Sequence, residues 1–181
     1  MSELLSLVKH AYEMAKTGEW ARLRSEWEDF PVFGRRCSRY INTSSGWTFL
    51  HQAAYFGEEQ ACRTLIGFGA NIGAVSLNGE SAADVSEDKG HAALAHLLRD
   101  VIQKTGSLWS PSMDSDLRPS SNLWREAKER HTFEPMLVAY GKGVVKIPSD
   151  SRIYIDSFER ILVGWHGTFS PPCGMDGESM L

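Results

Sequence analysis

The stretch Gly46-Trp47-Thr48-Phe49-Leu50-His51-Gln52-Ala53-Ala54-Tyr55-Phe56-Gly57 decides how this chain is read. It realigns 33 residues later with Gly79-Glu80-Ser81-Ala82-Ala83-Asp84-Val85-Ser86-Glu87-Asp88-Lys89-Gly90. Gly46 falls on Gly79, Thr48 on Ser81, Gly57 on Gly90 and Leu65 on Leu98. Thr48 and Ser81 are hydroxyls placed to cap a helix start, where a side-chain oxygen satisfies an orphan amide. Leu50, Ala53 and Ala54 give the following helix a small-residue face for close packing, and Gly57 and Gly90 permit the left-handed turn that ends it. Second helices are expected at about Glu59 to Ile66 and His91 to Ile102, with Cys62, Leu65, Ile66, then Leu94, Leu97, Leu98 and Val101 at helical spacing. A fixed period of this length marks an array of stacked supersecondary units.

Working outward, Leu65-Ile66-Gly67-Phe68-Gly69-Ala70-Asn71 closes one unit with a glycine-rich stop and opens the next. These residues resemble the ankyrin repeats, whose pattern runs G-x-T-P-L-H-x-A-A-x-x-G and then L-L-x-x-G-A-N. The resemblance covers Thr43 to Asp100. In the second unit Ala82, Asp84 and Ser86 stand at the pattern's proline, histidine and alanine positions, as in a closing repeat. Two units bury too little surface to stand alone, so a third is expected upstream. Ala15 and Gly18 match Ala54 and Gly57 at an offset of 39. Residues 1–42 therefore read as a divergent capping repeat, with helices near Glu3 to Thr17 and Trp20 to Asp29 and a long loop around Pro31 to Ser45. Residues 43–75 form a full repeat and 76–103 the closing one, which makes a stack of 1–103.

Composition changes at Thr105 to Ser, Pro, Gly and Asp, and residues 104–121 read as a linker. Residues 122–181 then read as a short helix, Leu123 to His131, capped by Asn122, followed by four strands. The strands are Met136 to Tyr140, Gly143 to Ile147, Arg152 to Asp156 and Arg160 to Trp165, in which β-branched and aromatic residues alternate with polar ones. Short turns between them predict an antiparallel meander with one apolar face, covered by the helix or by the repeat stack. The fold class is thus α+β: a short helical repeat stack, a linker and a small β module.

The 181 residues carry 19 Lys+Arg against 23 Asp+Glu, a net charge of -4. That balance offers no electrostatic footprint for nucleic acid or an anionic membrane. No run approaches the ~20 apolar residues of a membrane span, and residues 1–15 carry charges where a signal peptide needs an apolar stretch. The expectation is a cytoplasmic protein, the nucleus staying open. Cys37, Cys62 and Cys173 form no metal or redox pair, and reduced thiols are expected. His10, His51, His91, His96, His131 and His166 show no metal-ligand spacing, so no metal and no cofactor are expected. Arg22, Arg24, Arg35, Arg36 and Arg39 read as a solvated face offset by Glu26, Glu28 and Asp29.

Two sites compete for function. In the resemblance, His51 is scaffold that holds the loop near Thr48, and partners bind the loop tips and exposed inner-helix positions of the concave surface. Carried over residue by residue, those positions are Ser44, Ser45, Trp47, Tyr55 and Phe56, then Leu77, Asn78, Glu80, Asp88 and Lys89. Trp47, Tyr55 and Phe56 are also three large aromatics left toward solvent, the residue types that dominate interfaces, unless the β module or Trp109 folds over them. The second site is His166 with Cys173 and Asp176, which could be drawn as base, nucleophile and orienter. Trp165-His166-Gly167-Thr168 superficially resembles the W-H-G-[ST] segment of poly-ADP-ribosyltransferases. Fifteen residues after His166 leave no room for that family's later motifs. The expectation is a non-enzymatic adaptor or inhibitor that binds a protein, with a small enzyme or ligand-binding protein centred on His166 as the alternative.

Overall fold

The structure, a computed structural model, describes residues 2–181 and has an α+β fold in two compact units, Met1–Gln103 and Lys104–Leu181. Seven helices occupy the first: α1 (Glu3–Lys16), α2 (Trp20–Asp29), α3 (Pro31–Arg39), α4 (Phe49–Phe56), α5 (Glu59–Phe68), α6 (Ala82–Asp88) and α7 (Ala92–Lys104), whose last residue opens the second unit. Among the described residues no helix is long and apolar enough to cross a membrane.

The pairs α4/α5 and α6/α7 start from equivalent positions and are capped alike. Thr48 Oγ1 accepts from the His51 N–H and Ser81 Oγ from the Asp84 N–H, each reciprocated by the third helical residue to close a capping box. Gly57 (φ 70) stops α4, and Gly69 (φ 106) stops α5. The core between helices is aromatic toward the N-terminal side. The rings of Tyr12 and Phe49 lie 5.3 Å apart, Trp27 and Phe49 5.9 Å, and Trp27 and Phe68 6.2 Å. On the other side it is aliphatic, with Leu65, Ile66, Leu94 and Leu98 buried.

The loop expected at Pro31 to Ser45 is corrected by α3, nine residues long with Pro31 at its first turn. Proline breaks a helix interior but suits the N-terminal position, where its missing N–H is not needed. Arg39, at the end of α3, does not belong to a solvated face. It is buried, and its guanidinium donates to the Phe68 carbonyl and to Ser38 Oγ, capping the C-terminus of α5.

In the second unit the strands are β1 (Ser120–Ser121), β2 (Lys128–His131), β3 (Met136–Tyr140), β4 (Gly143–Ile147), β5 (Arg152–Ile155) and β6 (Ile161–Leu162). Two of the expected local pairings form: β3 with β4, Val138 opposite Val145, and β5 with β6, Ile155 opposite Ile161. The meander is corrected at one step: β5 does not pair with β4 but takes β2 as its second neighbour, in a four-stranded sheet ordered β1-β6-β5-β2 whose β1-β6 pair is parallel. The helix expected at Leu123 to His131 is one 3-10 turn, Trp124–Glu126, running into β2. Its polar residues instead occupy an edge strand, where charge blocks further pairing.

The linker expected at 104–121 is likewise corrected. Residues Ser107–Trp109 form a 3-10 turn, Arg118 bonds both ways with β3 through the carbonyl of Leu137 and the N–H of Ala139, and β1 joins the sheet. Trp109 donates its indole N–H to the Val163 carbonyl at 3.0 Å. Val138 and Ile147 from the hairpin meet Ile153, Ile155, Ile161 and Val163 in one core. The apolar faces therefore cover each other. Trp165, expected on that face, begins a 3-10 turn and is exposed.

Candidate functional site

The exposed inner face of the first unit is built by two glycine-headed loops and by α4. In the loop before α4, Asn42 Oδ1 accepts from the Ser44 and Ser45 N–H groups, and Gly46 takes φ 74. In the loop before α6, Ser76 Oγ accepts from Asn78 and Glu80. The two loops lie against each other, the Leu77 N–H donating to the Ser45 carbonyl at 2.9 Å. Ile41 and Val75 bridge to Thr48 and Ser81 at the base of each loop, and both are exposed.

His51 ties these parts together. Its Nδ1 faces Thr48, 2.9 Å from Oγ1 and 3.2 Å from the N–H it accepts from, and its Nε2 lies 2.9 Å from the Glu80 carbonyl oxygen. The ring is buried, and burial holds its pKa below the ordinary 6.5. These contacts use up both ring nitrogens in holding loop to loop.

On the outer side of His51 the aromatics form a continuous strip. Trp47 stacks on His51 with centroids 5.7 Å apart, meets Tyr55 at 6.1 Å, and Tyr55 meets Phe56 edge-on at 5.2 Å. Tyr55 and Phe56 keep 39% and 38% of their surface exposed, and Trp47 is half-buried. Trp109 is used inside its own unit, against Val163 and Tyr140.

The residues expected from the second repeat stand beside the strip. Leu77 is 73% exposed at its loop tip. Asn78, Asp88 and Lys89 are exposed and Glu80 half-buried. Asp84 is held below the usual carboxylate range, first by the Ser81 N–H and hydroxyl and then by Arg99. The bridge positions Ile41 and Val75 were missed by the repeat pattern; an apolar side chain six or seven residues before each capping hydroxyl was the available signal.

The competing set does not assemble. His166 sits at φ 68 in an exposed 3-10 turn, its backbone N–H donating to Tyr140 Oη at 3.1 Å. Cys173 Sγ lies 4.0 Å from the Pro171 carbonyl, and Asp176 Oδ1 accepts from Glu178 N–H within its own turn. Among the described residues none of the three hydrogen-bonds another, and no cluster of three or more His, Cys, Asp and Glu side chains could hold a metal ion.

The chain is similar to parts of much longer proteins. It is 36% identical over 87 residues to calmodulin-binding transcription activator 4 of Arabidopsis thaliana, a match covering 45% of this chain and 9% of that protein. It is 38% identical over 84 residues to calmodulin-binding transcription activator CBT of Oryza sativa subsp. japonica, covering 42% and 9%. To the espin-like protein of Homo sapiens it is 35% identical over 71 residues, covering 39% and 7%. No family model matches the chain. The matched segments span between 7% and 9% of the length of these curated relatives.

Proposed function

We propose that this chain is a non-enzymatic protein-interaction module, an adaptor or inhibitor, whose first unit is a short ankyrin-type stack. In this reading it binds a protein through the strip of Trp47, Tyr55 and Phe56 and the neighbouring loop tips at Ser44, Ser45, Leu77 and Asn78. The observation that carries the proposal is the strip itself: Trp47 packed on Tyr55 and Tyr55 on Phe56, all three left partly in water. Large aromatics in contact with solvent have apolar area still to bury, and such clusters supply most of the binding energy at interfaces. The matching capping boxes, the left-handed glycines and the His51 bridge support the ankyrin reading.

Glu80, Glu87 and Asp88 beside the strip would repel phosphate, so the proposed partner is protein rather than nucleic acid. The names of two similar proteins record calmodulin binding and transcription activation. Calmodulin takes a basic amphipathic helix into its groove. The Arg-rich helix α3 is nine residues long, with Cys37, Ser38 and Arg39 buried, so the proposal does not make calmodulin the partner of this face.

The test is affinity capture with the wild-type chain and a Trp47→Ala, Tyr55→Ala double variant, both shown to be folded by circular dichroism. Loss of one specific, identified partner by the double variant, reproduced with that partner purified, supports the reading. Unchanged capture overturns it.

A further inference from the structure

The strip already holds a cation. Lys89 Nζ lies 4.7 Å from the centroid of the Tyr55 ring. The face of an aromatic ring is the negative pole of its quadrupole, so the Tyr55 ring, between Trp47 and Phe56, presents an electron-rich surface that accepts positive charge. Among the described residues Lys89 forms no ion pair, although Asp88 precedes it; its ammonium rests on the ring instead. The side chain follows α6 on an open turn, where Gly90 takes φ 84 and has nothing within 4 Å of its Cβ position. A lysine on a flexible stem at such a place can swing away at small cost.

The rim is acidic. Arg99 reaches Asp84 at 3.2 Å and Glu87 at 2.6 Å and is engaged by both. Glu80 and Asp88 are left without an opposite charge among the described residues. The Glu80 backbone carbonyl sits on His51, on which Trp47 stacks, and Asp88 directly precedes Lys89, whose ammonium lies over Tyr55. Two acidic residues without an ion pair among the described residues are thus placed, by their backbone, next to the strip, whose present cation is exposed.

We infer that, given the docking role proposed above, this surface takes a partner segment that presents an arginine or lysine beside an apolar residue. The incoming cation displaces Lys89 from the Tyr55 ring, Glu80 and Asp88 neutralise it, and the apolar neighbour covers Phe56. A purely apolar segment could cover the rings but would leave both carboxylates uncompensated.

The experiment uses the full chain, labelled with nitrogen-15, with n-butylguanidinium as a cation probe and n-butanol as its neutral counterpart. The readouts are the Trp47 indole signal and the backbone signals of residues 55, 56 and 89. Butylguanidinium should shift these saturably and butanol should not. Lys89→Ala should tighten the probe about two- to five-fold by removing the internal competitor. Tyr55→Ala should abolish the shifts, and Tyr55→Phe, which keeps the ring, should retain them. Equal shifts from both probes, or cation shifts indifferent to Tyr55→Ala, would overturn the inference. If the aromatic variants still lose their captured partner while the two probes behave alike, the docking role stands and the cation preference falls. If capture is indifferent to those variants, the docking role itself falls.

Discussion

His51 and Glu80 are joined across the two repeat loops by a 2.9 Å hydrogen bond from the imidazole Nε2–H to the Glu80 carbonyl. The Thr48 N–H fixes this tautomer by donating to Nδ1. One neutral ring therefore ties the capping residue of α4 to the loop that enters α6. Replacing it with alanine leaves the buried Thr48 N–H without this acceptor, takes one donor from the Glu80 carbonyl, which keeps the Ser76 N–H, and opens a hole behind Trp47. His51→Ala should destabilise the first unit by about 2–4 kcal/mol in denaturant titrations, with the Trp47 signal lost along with the rest of the unit.

The same ring makes stability depend on pH. Burial holds the folded pKa of His51 below the unfolded value of 6.5, so the unfolded state binds the proton more readily. The contribution is complete above the unfolded pKa and is lost as pH falls toward and through the folded value, because a proton on Nδ1 would oppose the Thr48 N–H. Denaturation midpoints measured from pH 8 to pH 5 should fall for the wild type. They should fall less for His51→Gln.

Gly46 and Gly79 occupy equivalent places but should tolerate alanine unequally. Both have left-handed backbones, φ 74 and φ 81, which cost an L-residue about 1–2 kcal/mol. A Cβ on Gly46 would lie 2.8 Å from the Leu77 amide nitrogen, whereas one on Gly79 meets nothing within 4 Å. Gly46→Ala should therefore cost at least about 1 kcal/mol more than Gly79→Ala, as read from urea midpoints. Equal costs would mean that the loops do not pack as described.

The thiols should separate cleanly. Cys37 and Cys62 are buried, and burial pushes both up to about 12, while Cys173 is exposed. A thiol reagent should label one equivalent in the native protein and three after denaturation, with peptide mapping placing the native label on Cys173.

In the second unit Asp156 and Arg160 form a buried pair at 2.9 Å, 0% and 1% exposed, and Asp156 also accepts from Ser121 Oγ at 2.7 Å. Asp156→Ala leaves the guanidinium uncompensated and should cost about 3–5 kcal/mol. Replacing both partners with apolar residues of similar volume should cost less, and calorimetry of the two variants checks the order.

Much of the first unit was legible because its signals are local. A hydroxyl at the helix start, small residues on the inner face and glycine at the stop all act within a dozen residues. What escaped there was α3, since Pro31 can start a helix as readily as stop one, and Arg39, whose carbonyl partner lies on α5. In the second unit β3 to β6 were legible strand by strand, whereas β1, β2 and the pairings that involve them were not. Val138 opposite Val145 follows from a tight turn, whereas β5 joining β2, and residue 118 lying beside β3, depend on contacts between residues far apart in the chain. Of the candidate surface, the positions of Trp47, Tyr55 and Leu77 could be read from the repeat. That Trp47 rests on His51 and that Lys89 sits over Tyr55 required the fold.

Partner binding on the Trp47–Tyr55–Phe56 strip, as proposed, is tested most directly by the dissociation constant of a captured, purified partner for two matched variants. Tyr55→Ala removes a ring from the strip, and Phe133→Ala removes one that is 95% exposed on the second unit. The account predicts a loss of about tenfold or more for Tyr55→Ala, the size expected of an interface hot spot, with no change for Phe133→Ala. Full affinity in Tyr55→Ala, or the loss falling on Phe133→Ala instead, would contradict it.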